Sequence, residues 1–288
     1  MNVFSRSWQI TKLSFSVINK DRELLWFALL SFVFSAVFSL AMIVPSVVPD
    51  LLYGESSIYT LEVYQYILIF LTYFGLAFIA TFFNVCVVYT AKVRFGGGNA
   101  TFGESFSFAT SRMGLIARWS LLSASVGLLL NVLERIAASF GKVGEIVARI
   151  IIGLMGAAWS IATIFVVPIL VYDGLGPIDA VKKSMKAVKE TWGENIVKSL
   201  GLGLMTFFAF LLVAAVSVGL TILLANQFDL AGLITGVVIG GCLLLMTGLI
   251  FKVASVIFST ALYVYANEQI VASDFDENII KGAFKPKK

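Results

Sequence analysis

The chain has 288 residues, of which 59% are hydrophobic and only 13% charged. A water-soluble domain carries about a quarter charged residues, and no soluble interior could bury so apolar a sequence, so the surrounding solvent is lipid. The net charge is +4 and histidine is absent, which excludes imidazole acid–base catalysis, Ser/His and Cys/His nucleophile pairs and the commonest transition-metal ligand.

Residues 1–23 are polar and amphipathic, without the short apolar core and small-residue cleavage site of a signal peptide. The first long apolar run is Leu24 to Val48, followed by roughly Val63–Ala91, Leu115–Leu133, Ile150–Tyr172, Ile196–Ala225 and Ala231–Ala266. About 20 apolar residues cross the hydrocarbon core, so six spans are expected. The third is the shortest and carries Arg118 near its start; the last two exceed what a crossing needs and imply tilt or extension. Cys86 and Cys242 both lie inside apolar runs and read as packing residues. The fold class is therefore all-α, a polytopic membrane helix bundle forming one integral membrane domain over residues 1–288, with a tail at 268–288.

Basic residues set the orientation. Arg6, Lys12, Lys20 and Arg22 precede the first span; Lys92, Arg94, Arg112 and Arg118 follow the second. Lys182, Lys183, Lys186, Lys189 and Lys198 follow the fourth, and Lys281, Lys285, Lys287 and Lys288 end the chain. Only Arg135, Lys142 and Arg149 fall on the other side, and Lys252 lies within a span. The positive-inside rule puts both termini in the cytoplasm, with the plasma membrane as location. The basic balance then means lysine held against anionic lipid rather than nucleic acid. The outward connections, about Pro49–Glu62, Glu134–Arg149 and Asn226–Leu230, are too short for an ectodomain.

The segment Pro177–Trp192 has apolar Ile178, Val181, Met185, Val188 and Trp192 at steps of three and four, with lysines between. Aligning Ser7, Ser105 and Ser184 brings Phe4, Phe102 and Val181 together, then Trp8, Phe106 and Met185, Thr11, Ala109 and Val188, and Phe15, Met113 and Trp192. Three spans also end alike, at Val88-Tyr89, Val171-Tyr172 and Val264-Tyr265. The chain reads as three units, about 1–91, 92–173 and 174–267, each a cytoplasmic amphipathic helix followed by two spans, and parallel repeats of this kind share an axis along the membrane normal. In the middle unit Glu104 and hydroxyl residues replace lysines. The glycines Gly96-Gly97-Gly98 lack the Lys-Ser/Thr of a phosphate loop and read as a hinge.

The order Tyr172-Asp-Gly-Leu-Gly-Pro-Ile-Asp-Ala-Val-Lys-Lys-Ser184, with the opening Phe4-Ser-Arg-Ser-Trp8 and Lys20-Asp-Arg-Glu-Leu-Leu25, resembles an uncharacterised family of prokaryotic six-span membrane proteins. More distantly it is similar to the membrane domains found alone or beside glycerophosphodiester phosphodiesterases, which also follow a span with Asp-Gly, a proline, then alanine and serine. The resemblance implies a fold and a membrane location and no activity, since the phosphodiesterase catalytic domain has no counterpart here.

Lys252, in Leu249-Ile-Phe-Lys-Val-Ala-Ser, stands about 20 Å along a straight helix from Tyr265. A lysine at the bilayer centre costs roughly 2.5–3.5 kcal/mol on insertion scales, so it is expected to face the bundle or a watery cavity. Lys252, Arg118 and Asn84 are the candidates for lining a cavity or meeting lipid. Asn131 reads as an interhelical hydrogen bond and Glu134-Arg135 as a solvated helix end. Trp8, Lys182, Lys183, Lys186, Lys189 and Trp192 are the candidates for interfacial lipid contact. No catalytic group, metal site or cofactor motif is expected. The leading expectation is a non-enzymatic protein that organises anionic lipid, a protein partner or a second copy of itself on its cytoplasmic face. The alternative is a small-solute or ion transporter whose cavity Lys252 lines.

Overall fold

The computed structural model describes residues 12, 14–53, 63–192 and 201–268. Among these every regular element is helical. Residues 14–20 form α1, followed by α2 (Glu23–Tyr53), α3 (Val63–Phe95), α4 (Phe102–Ser111) and α5 (Met113–Ala137). A 3-10 turn at Ala138–Phe140 leads into α6 (Gly141–Ala162), then come α7 (Val166–Tyr172), α8 (Pro177–Trp192) and α9 (Gly201–Glu268). Five stretches are long and apolar enough to cross a membrane: Glu23–Val44, Tyr64–Phe95, Met113–Ala137, Gly144–Tyr172 and Met205–Val264. Phe34, Leu40, Ile150, Leu154, Leu212 and Val237 on these helices are each more than half exposed. In water every such side chain would forgo about 1.5–3 kcal/mol of burial; in hydrocarbon it loses nothing.

The last stretch is 60 residues long, about 90 Å of helix against a hydrocarbon core of about 30 Å. It does not run straight. Helical geometry fails at Phe228 and Asp229, where Asp229 takes φ +49°. Beyond the break the chain returns along itself. Gly232 lies against Leu224, Gly236 against Thr221, Gly240 against Ser217 and Gly248 against Phe210. The partner number falls as the glycine number rises, which is the register of an antiparallel pair. A Cβ on Gly236 would lie 2.6 Å from the Thr221 Cα, and one on Gly240 would lie 2.8 Å from the Ser217 Cβ. Bare glycines let the two backbones approach this closely, the small-residue packing that replaces the hydrophobic effect inside lipid.

The chain divides into two compact units. One comprises Met1–Ala28, Thr90–Ala100 and Glu190–Lys288. In it Phe15 of α1 meets Phe251 of α9 edge to face, ring centroids 5.6 Å apart. Asp21, only 5% exposed, receives the Arg94 guanidinium through two bonds, Nε to Oδ2 at 2.6 Å and a terminal amino group to Oδ1. That amino group also donates to Asn99 Oδ1 at 2.7 Å. The bidentate fork ties the α1–α2 junction to the end of α3. The glycines after α3, expected as a hinge, form the stop of the helix. Gly98 N–H reaches back to the Val93 carbonyl and Gly97 N–H to that of Arg94, with Gly97 at φ +82°. This is the Schellman cap, which needs a left-handed residue at that position.

The other unit comprises Leu29–Tyr89 and Thr101–Lys189. Here Phe34 of α2 meets Phe83 of α3 at 5.9 Å, and Gly75 of α3 leaves the space that the Phe38 ring fills. Helices α5 and α6 form a hairpin about the 3-10 turn, with Trp119 and Trp159 stacked at 6.1 Å and 13°. The outward connection at Glu134–Arg149 is thus largely helical, an extension of the flanking helices. Burial concentrates in the last turns of three spans: residues 81–88, 165–171 and 253–264 are mostly inaccessible.

Removing the Arg94 guanidinium strands a buried carboxylate, and breaking a buried pair from one side costs about 3–5 kcal/mol. Arg94→Ala should therefore lower the thermal unfolding midpoint in neutral detergent well below wild type. The double variant Asp21→Asn/Arg94→Gln should recover part of the loss.

Candidate functional site

Pro168 lies inside the stretch that sequence reads as the fourth span. A proline has no N–H and its ring crowds the carbonyl four residues back, and helicity lapses at residues 163–165, between α6 and α7. The lapse frees a buried donor, the Phe165 N–H. Ser184 Oγ, itself fully buried on α8, accepts it at 3.2 Å. The Thr163 hydroxyl meanwhile donates to the Trp159 carbonyl at 2.8 Å.

After α7 the chain turns sharply. The Asp173 and Gly174 N–H groups both donate to the Ile169 carbonyl, and Gly174 takes φ +65°. Its missing side chain also makes room for Arg112, whose Nη1 would lie 2.8 Å from a Cβ there. Pro177 opens α8 at the one helical position that tolerates it, and Lys183 Nζ donates to Asp173 Oδ1 at 3.0 Å. Two contacts thus dock α8 along α7, a neutral one at its start and an ionic one at its end.

The docked helix shows three sectors. Ala180, Ser184 and Val188 are buried. Ile178 and Met185 are 63% and 53% exposed. Lys182, Lys186 and Lys189 are exposed on the sector beside them, with Lys182 Nζ 3.6 Å from Asp179. Of the apolar stripe read from sequence, Ile178 and Met185 stay out, while Val188 joins the small residues Ala180 and Ser184 on the face that meets the protein. A helix lying against another backbone needs short side chains at the contact.

Helix α4 repeats much of this design. Thr101 and Glu104 close a reciprocal capping box, Thr101 N–H to Glu104 Oε2 at 2.8 Å and Glu104 N–H to Thr101 Oγ1 at 3.3 Å. This is the local task of the glutamate that replaces a lysine in the middle unit. Ser105 and Ala109 are buried, while Phe106, and Met113 at the start of α5, stay exposed. Phe108 stacks on Tyr89 at 4.4 Å and carries Arg112 at 5.4 Å on its ring.

The other sequence candidates are dispersed. Lys252 is exposed on the second half of α9, Arg118 is exposed on α5, and Asn84 is half-buried on α3. Asn131 does make an interhelical bond, Nδ2 to Tyr73 Oη at 3.4 Å. A cleft of about 520 Å³ adjoins that bond, between α2, α3 and α5, and none of Lys252, Arg118 and Asn84 lines it. Trp8 and Ser7 lie outside the described residues, as does the tail after residue 268; Trp192 is helical, and its side chain is likewise outside the description. Sequence reading missed the Asp173–Lys183 pair and the role of Ser184 as a cap. Pro168 was the available signal, since a proline within a span obliges some group to take up a freed N–H.

Fold and site together define a helical membrane protein with a short cationic helix docked at the end of a broken span. The chain belongs to the family of unknown function DUF6159, whose profile matches residues 63–272. Comparison with curated proteins gave no match.

Losing a buried hydrogen-bond partner costs about 1–3 kcal/mol. Ser184→Ala should show that loss as a lower unfolding midpoint, and Ser184→Thr, which keeps the hydroxyl, should retain more of it. Hydrogen exchange at Phe165 should quicken in the alanine variant alone.

Proposed function

We propose that this protein is a non-enzymatic multi-pass membrane protein that binds and organises anionic lipid through α8, with α4 as a neutral counterpart. The observation that carries the reading is the sector arrangement of α8. A helix fixed to the protein by Ala180, Ser184 and Val188 keeps Ile178 and Met185 exposed beside Lys182, Lys186 and Lys189. In water the exposed apolar pair would be a liability. At a headgroup boundary the pair enters the acyl region while the lysines meet phosphate, each worth about 1 kcal/mol near an anionic surface.

The same reading takes the chain to be six spans in three units, with both termini in the cytoplasm of a cell whose plasma membrane holds it. Three features support it: the reversal at Phe228–Asp229, the buried serines at matching positions of α4 and α8, and the buried last turns of three spans. Placing single cysteines at Ser56 and Asp229 and labelling intact cells with an impermeant maleimide tests the topology. Both positions should react from outside. Reaction at Ser56 with protection at Asp229 would reject six spans.

For the lipid reading, the protein in nanodiscs should retain phosphatidylglycerol over phosphatidylcholine by native mass spectrometry. Replacing Lys182, Lys186 and Lys189 with glutamine should abolish that preference without lowering the unfolding midpoint. Equal retention of both lipids by the wild type would sink the proposal.

A further inference from the structure

The cleft between α2, α3 and α5 has a chemistry of its own. Its walls include Met42 and Ile43 of α2 with Leu68 and Ile69 of α3, and its rim holds Asn131 and Arg135 of α5. Arginine has only donors, so Asn131 must turn its oxygen toward Arg135; the Nε donates to Asn131 Oδ1 at 3.1 Å. The amide nitrogen of Asn131 is then directed at Tyr73 Oη. This relay from α3 holds the guanidinium by one edge. Among the described residues Arg135 makes no other bond, which leaves its two terminal amino groups to the cleft mouth. A fork of two parallel N–H donors matches the two oxygens of a carboxylate or phosphate. The volume falls in the ordinary range for small-molecule sites, about 300–1,000 Å³.

An apolar trough ending in one oriented guanidinium suits neither a free ion nor a neutral hydrocarbon. We propose that the cleft binds a single-chain amphiphile with an anionic head, its acyl chain along Met42, Ile43, Leu68 and Ile69 and its carboxylate or phosphate on Arg135. The site lies at the α5–α6 turn, the opposite end of α6 and α7 from α8, and is independent of the lipid contact proposed for that helix.

The test is photolabelling of the full-length protein in neutral maltoside detergent with a diazirine-bearing fatty acid, followed by peptide mapping. Label should fall on residues 39–43 and 65–73. Dodecyl phosphate should displace it, whereas the same concentrations of inorganic phosphate or dodecanol should not. Arg135→Gln should weaken labelling by about tenfold, the loss of one charge-assisted bond. Ile69→Trp, which fills the trough and leaves the relay intact, should remove the label while keeping the wild-type unfolding midpoint. Label elsewhere on the chain overturns the proposal. So does displacement by inorganic phosphate, which would mark a soluble-anion site. Displacement by dodecanol, or wild-type labelling of Arg135→Gln, would leave a greasy groove without head recognition, and wild-type labelling of Ile69→Trp would put the label outside the trough; each overturns it equally.

Discussion

Hydrocarbon offers no hydrogen bonds, so a backbone group that leaves a helical ladder inside a span must find another partner in the protein. The break ahead of Pro168 is where this chain meets that demand. The freed Phe165 N–H is bonded by Ser184 from the following helix, and the position of α8 depends on the bond. Once Ser184 must face α7, helical geometry fixes the rest. Ala180 and Val188, one turn away on either side, turn inward with it, and the lysines and Ile178 turn out. One missing proton donor in the chain therefore fixes which face of a neighbouring helix the surroundings see.

Close packing in the rest of the molecule uses absent side chains as well as large ones. Gly75 admits a phenylalanine ring, and Gly236 and Gly240 admit a facing backbone. The large apolar residues instead crowd the outside of the helices, the reverse of a soluble core. The nearly buried charged fork of Asp21 and Arg94 joins segments 73 residues apart at helix ends, where the desolvation of a charge is least severe.

The helices themselves were legible. The apolar runs at Leu24 and Val63 begin within a residue of α2 and α3, the end read at Tyr172 is the end of α7, and the reversal in α9 falls inside the connection read at Asn226–Leu230. Length and hydropathy carry that information because lipid imposes a fixed thickness. Of the apolar stripe read on α8, Ile178 and Met185 are exposed, as an interfacial face requires, while Val188 turns to the protein. That Ala180 and Ser184 make the contact was not legible, because pattern reading ranks positions by hydrophobicity and the contact was decided by size. The relay from Tyr73 through Asn131 to Arg135 was hidden for another reason. Its members are separated by 58 residues on two helices, and a charge at the end of a span looks like any solvated helix end until its neighbours are known.

The reversal at Phe228–Asp229 bears on how such a chain enters a membrane. In the six-span arrangement the two halves of α9 are joined by a turn of about two residues, with no polar loop long enough to wait in water while the second half follows. A state with only the first half inserted would leave its glycine-lined face against lipid tails instead of against its partner. The two halves must therefore partition together, as a preformed pair, and the polar atoms carried across at the tip are few: the Asn226 and Gln227 amides, the Asp229 carboxylate and a handful of peptide groups.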